Sequence, residues 1–178
     1  MIIKLIFLFL LTGAPMHATV FSFVVYYTDI TQFPDSHAKL ESILQEPVSP
    51  IQARIHEYED TSAFMRATGA PYWIRGFTNH SGIYIQSRHL LRNQYDRTLE
   101  HELLHWTIKH HTSMPAWMEE GLVCWVTGEL DPYTHITPME SIELRSIQEL
   151  QNPWEMIAFS LGAMKMVQSI FGYKEDVP

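Results

Sequence analysis

The segment His101-Glu102-Leu103-Leu104-His105 sets two imidazoles four residues apart, with a carboxylate next to the first. On a helix, residues four apart lie on one face. Both rings can then reach a single cation at a zinc–nitrogen distance of about 2.0–2.1 Å. Glu102 is rotated about 100° from His101 on such a helix. It cannot be a third point on the same line, but it can lean over the open side of the ion, where a general base would hold a water. These residue types at this spacing point to hydrolysis by a metal-activated water, with Zn2+ as the expected ion and Glu102 as the proton acceptor.

A helix carrying this motif has to be well packed to hold two rings still. Leu99, Leu103 and Trp106 form one apolar stripe, and Leu104 and Ile108 cover much of another side, so the helix is expected to be buried on most sides. Polar groups inside it need partners, and a metal supplies them. A catalytic zinc takes three protein ligands and keeps one position open. The candidates for the third are Glu119, Glu120, His110, His111 and His135. Glu120 is favoured: a helix hairpin brings it back over the first helix, and Gly121 permits close approach. Glu119 is about 100° around the same helix and is read as a solvated acid. His111 follows His105 by six residues, the metzincin spacing, but Ile108 stands where that class needs a glycine. His110 and His111 suit a helix end, where positive charge is favourable.

The elements that must position these groups can be read along the chain. Strands are expected over Val20–Tyr27, Ile51–Tyr58 and Gly82–Gln86, from β-branched and aromatic content or alternation. Helices are expected over Asp35–Gln45, Thr61–Thr68, Tyr95–Lys109, Pro115–Thr127, Thr137–Leu150 and Pro153–Phe171, several with Pro at the start and Gly past the end. Gly69–Asn79 reads as turn-rich and Asp131–Pro138 as loop. Strands and helices mix first and helices alone follow, so the class is α+β.

Taken together, Thr98-Leu99-Glu100-His101-Glu102-Leu103-Leu104-His105 and Met114-Pro115-Ala116-Trp117-Met118-Glu119-Glu120-Gly121-Leu122-Val123 resemble the gluzincin metallopeptidases, specifically small peptidase MA-like domains, which carry H-E-x-x-H and then a W-L-x-E-G-L-A segment. The resemblance runs roughly from Ile51 to Gly172 and includes Pro71, Trp73, Gly76 and Phe77 as a P-x-W-x-x-G-F segment. It implies a small zincin-like domain, zinc held by His101, His105 and Glu120, and a peptide or protein substrate. It also implies a substrate-side strand at Gly82, Ile83, Tyr84 and Ile85. Read as an edge, that strand could pair with an extended peptide through free backbone groups. Ile85 stands where the aminopeptidase branch has a glutamate, which favours an endopeptidase. Phe159 replaces a tyrosine frequent in the closing helix; Tyr133, His135 or Tyr173 could supply a hydroxyl or imidazole instead.

Composition narrows the alternatives. Twelve Lys+Arg against 20 Asp+Glu leave a net charge of −8, which argues against nucleic acid as a partner. At 46% hydrophobic, the 178 residues can bury a real core. Cys124 is the single cysteine, so no internal disulfide is possible. Lys4 and the apolar run Leu5–Leu11, followed by small residues, read as a signal peptide over 1–18 with cleavage after Ala18, leaving one domain over 19–178. The run is too short to span a membrane. The expected location is therefore periplasmic or extracellular, with an uncleaved anchor as the alternative. Two other functions remain open: a zinc-binding protein without proteolytic activity, and a non-metal interaction module with an accidental motif.

Overall fold

The structure, a computed structural model, describes residues 3–4, 23–140, 142 and 149–172. The fold is α+β, and the chain divides into two compact units. One comprises Met1–Thr28 and Gln52–Leu99, the other Asp29–Ile51 and Glu100–Pro178. Of the expected signal peptide at 1–18 only Ile3 and Lys4 lie among the described residues, and Tyr173 lies outside them. No described helix is long and apolar enough to cross a membrane.

The first unit is built on a mixed sheet. Its strands are β1 (Ile3–Lys4), β2 (Phe23–Thr28), β3 (Ala53–Tyr58), β4 (Gly76–Asn79) and β5 (Gly82–Gln86), in the order β1-β2-β3-β5-β4. Only β3 and β5 pair in parallel. Alternation sorts the faces: Ala53 and Ile55 on β3 and Ile83 and Ile85 on β5 are fully buried. On the other face a row of rings runs His56–Tyr84–Phe77 across the register, with His56 and Tyr84 stacked at 4.8 Å. Helix α2 (Thr61–Thr68) covers one end of that face by packing Phe64 on Tyr58. Asp60 caps it by accepting from the Ala63 N–H at 2.7 Å. The short helix α3 (Arg88–Leu91) follows β5.

Two expectations about this sheet need correction. The turn-rich stretch 69–79 ends in a strand: β4 pairs antiparallel with β5, and Asn79 closes the turn by accepting from the Ser81 N–H. The strand at Gly82–Ile85 is not an edge. It lies between β3 and β4, so its backbone is committed on both sides and the exposed ladder expected there is not available to a peptide.

The second unit is helical. It holds α1 (Pro34–Leu44), the part of α4 (Tyr95–His111) from Glu100 onward, α5 (Ala116–Thr127) and α6 (Pro153–Phe171). Lys39 of α1 donates to the carbonyls of Trp125 (2.6 Å) and Val126 (3.1 Å), closing the C-terminus of α5. Asn152 caps α6 by accepting from the N–H groups of Trp154 and Glu155. The helix expected over 137–150 does not begin at Thr137, since 137–140 are not helical; 141 and 143–148 lie outside the described residues. The residues that do follow, Met139 and Ile142, pack on Phe159 and Ala163 of α6.

Helices α5 and α6 approach closely at Gly121. A Cβ on Gly121 would stand 2.5 Å from the carbonyl carbon and oxygen of Ala163 and 2.8 Å from the Met164 nitrogen. Backbone cannot yield as a side chain does, so only glycine allows this approach. Gly121→Ala should therefore separate the helices and lower stability by roughly 1–3 kcal/mol, the usual cost of overpacking. Urea denaturation measures it; an unchanged midpoint would show that the crossing is looser than described.

Candidate metal centre

His101 and His105 sit one turn apart on α4, inside a segment whose Leu103, Leu104, Trp106 and Ile108 are buried, as the apolar stripes led one to expect. Their Nε2 atoms face each other at 3.0 Å. Glu120, from α5, brings Oε2 to 3.3 Å from Nε2 of His105 and 3.8 Å from Nε2 of His101. These three donors form a triangle with sides of 3.0, 3.3 and 3.8 Å. Four donors placed tetrahedrally around zinc at bond lengths of about 2.0–2.1 Å are about 3.3–3.4 Å apart. The triangle therefore has the size of one tetrahedral face, and the residues fit the ion that the sequence implies. The helix hairpin delivers Glu120 to the histidine pair, as the third-ligand argument required.

Glu120 itself is held from behind. Ser160 of α6 donates to its Oε1 at 2.6 Å, and Cys124, one turn further along α5, stands 3.4 Å from the same oxygen. Close packing at Gly121 is what lets α6 supply that hydroxyl, so the glycine next to Glu120 helps to place its carboxylate.

The remaining edges of the imidazoles are occupied too. Glu119 Oε1 lies 2.5 Å from Nδ1 of His105, with the Lys109 ammonium 3.3 Å from the same oxygen. Glu119 is only 6% exposed. The solvated role expected of it is thus corrected: its rotation from Glu120 points it not at water but at the outer edge of the second ring. Glu129 Oε1 lies 2.7 Å from Nδ1 of His101, off the line along which the ring N–H would donate. Gly128, at φ 62°, ends α5 in the left-handed region and turns the chain so that Glu129 follows immediately. Cys124 Sγ is 3.1 Å from this carboxylate.

Electrostatics follow from this crowding. Burial pushes the His101 pKa down, but the charges of Glu129, Glu120 and Glu102 outweigh it and lift the pKa to about 10. His105 is opposed by burial in the same way and is raised through Glu119 and Glu120. The partners answer in the opposite sense: burial disfavours ionised Glu119, Glu120 and Glu129, yet the imidazoles hold all three below the usual carboxylate range. Cys124 is pushed up by burial and by the two carboxylates beside it.

Glu102 is buried on α4 and does not join the three-donor triangle. His110 and His111 are engaged elsewhere, with the Trp106 carbonyl and with Glu46 respectively. His135 is exposed, and Tyr133 packs against Cys124, Leu130 and Leu161. Phe159 is fully buried. Sequence reasoning passed over Cys124, Glu129 and Ser160. Cys124 could have been found, since it lies four residues from Glu120 and so on its face. Nothing local marks Glu129 or Ser160, which arrive through a turn and through a helix–helix crossing. No protein-family model, no curated protein and no solved structure matches this chain.

Proposed function

We propose that this chain is an exported zinc peptidase, in which His101, His105 and Glu120 hold one ion and Glu102 is the general base. The observation that carries the reading is the triangle of donors from two helices, sized like one face of a zinc tetrahedron. Two imidazoles and one carboxylate suit zinc among the common divalent ions. A zinc ion bound there supplies an acidified water and a polarised carbonyl.

The chain's own groups then divide the work. Glu102, next to His101 but outside the ligand set, accepts the proton of the attacking water and returns it to the leaving amine nitrogen. His101 and His105 act as neutral ligands through Nε2. Glu120 adds one negative charge, and Ser160 keeps its other oxygen occupied. Peptide as the substrate class rests on the resemblance of the H-E-x-x-H and W-x-x-E-G pair to gluzincins, and export rests on the leader-like 1–18. A second reading, a zinc-binding protein without proteolysis, draws support from Phe159, which is buried with Ile142 and Ala163 and offers no hydroxyl.

Purified protein should carry one zinc by elemental analysis, and Glu120→Ala should lose it; metal-free wild type after incubation with zinc would defeat the proposal. Glu102→Gln should keep the zinc and lower hydrolysis of a peptide library by roughly 10²–10⁴-fold, the usual worth of a positioned base. Zinc-loaded wild type that cleaves nothing in the library would favour the second reading.

The chelated protein should also have a characteristic pH profile. A raised His101 pKa stabilises the folded chain fully below its ordinary 6.5, and that contribution is lost as pH climbs through about 10. The depressed Glu120 pKa contributes above its ordinary 4.5 and is lost as pH falls below it. The thermal midpoint should thus be highest between about 4.5 and 6.5 and decline toward pH 10. A midpoint that rises across that alkaline range would contradict the charge assignment.

A further inference from the structure

We infer that Glu119 and Glu129 are positioning residues for the metal centre, each fixing one imidazole through its Nδ1 edge; the inference rests on the zinc reading above. A neutral imidazole has one N–H and one lone pair, and an ionised carboxylate can only accept. A carboxylate beside Nδ1 therefore keeps the ring proton on that nitrogen and leaves the lone pair on Nε2. Glu119 does this for His105 at 2.5 Å; Glu129 stands 2.7 Å from Nδ1 of His101, off the N–H line, and bounds that ring by contact and charge. With the His105 proton held on its outer edge, the Nε2 lone pair of that ring is turned toward Glu120 Oε2 and Nε2 of His101, the three atoms that would hold the ion.

Each outer carboxylate is in turn held by its own partner. Lys109, one turn past His105 on α4, lies 3.3 Å from Glu119. Cys124, one turn past Glu120 on α5, lies 3.1 Å from Glu129. The thiol is also 3.4 Å from Glu120 Oε1, so the inner ligand and one outer carboxylate share a neighbour. Partners of this outer kind orient ligand rings and raise their basicity.

The same side chains admit a rival arrangement, because His101, Cys124 and Glu129 also come close enough together to hold an ion. Against it, Nδ1 of His101 and Oε1 of Glu129 are 2.7 Å apart, closer than the roughly 3.3 Å imposed by two donors on one tetrahedral zinc. That separation suits a direct contact between the two groups.

The test uses the full chain and the isosteric variants Glu129→Gln and Glu119→Gln. Zinc affinity is measured by chelator competition, and the visible absorption of the cobalt-substituted protein reports ligand geometry. Wild type should bind one ion. Each variant should bind zinc roughly 10–100-fold more weakly and show altered cobalt bands, with the circular dichroism of the wild type. Either variant decides the matter alone, so misfolding of one leaves the other to test it. Wild-type affinity and unchanged cobalt bands in a folded variant overturn the positioning role while leaving the zinc reading intact. Two ions per chain also overturn it, because Glu129 would then be a ligand. A wild type that binds no zinc defeats both readings.

Discussion

Three glutamates and two histidines share the interior of the helical unit, and the need to compensate that buried charge organises what surrounds it. Removing carboxylates from water is costly unless each finds a partner. Here Glu120 faces both imidazoles and is backed by Ser160, Glu119 lies between His105 and Lys109, and Glu129 lies between His101 and Cys124. The glycine that lets α5 touch α6 is adjacent to Glu120, and the glycine that ends α5 is adjacent to Glu129. Backbone permissiveness has been placed where charged groups must be delivered.

Such a cluster is poor evidence for stability in its own right. Buried ion pairs frequently do no better than apolar residues of similar volume, because desolvation offsets attraction. A fold that only needed to close this space could have used leucine, as α4 does at Leu103 and Leu104. Strongly displaced titration at several adjacent groups in one place makes this cluster a candidate for a functional site. Two imidazole nitrogens and a carboxylate oxygen lying 3.0–3.8 Å apart make a set that could hold a metal ion.

The sheet unit obeys a different logic. Its buried face is built from alternating aliphatic residues, and its opposite face from aromatic rings aligned across the register. Parallel pairing of β3 with β5 forces the chain out through α2 and β4 before it returns, and β4 then takes the edge that β5 was expected to hold. Tyr84 is stacked on His56, and Ile83 and Ile85 are core residues, so the side chains of this strand are spoken for as fully as its backbone.

Much of this was legible in the linear chain. The spacing of His101 and His105, the apolar stripes around them and the punctuation by Pro and Gly act over one or two helical turns, so they fix local periodicity without tertiary information. The boundaries of α2, β5 and α6 followed from such signals, and so did the preference for Glu120 over its neighbours. What the spacing could not convey is which way a side chain faces once two elements have packed. That is why Glu119 was read as solvated, why Glu129 and Ser160 went unnoticed, and why the edge was assigned to β5: strand order and outer-edge contacts are set by long-range pairing, and no residue carries a local record of its neighbours across the fold.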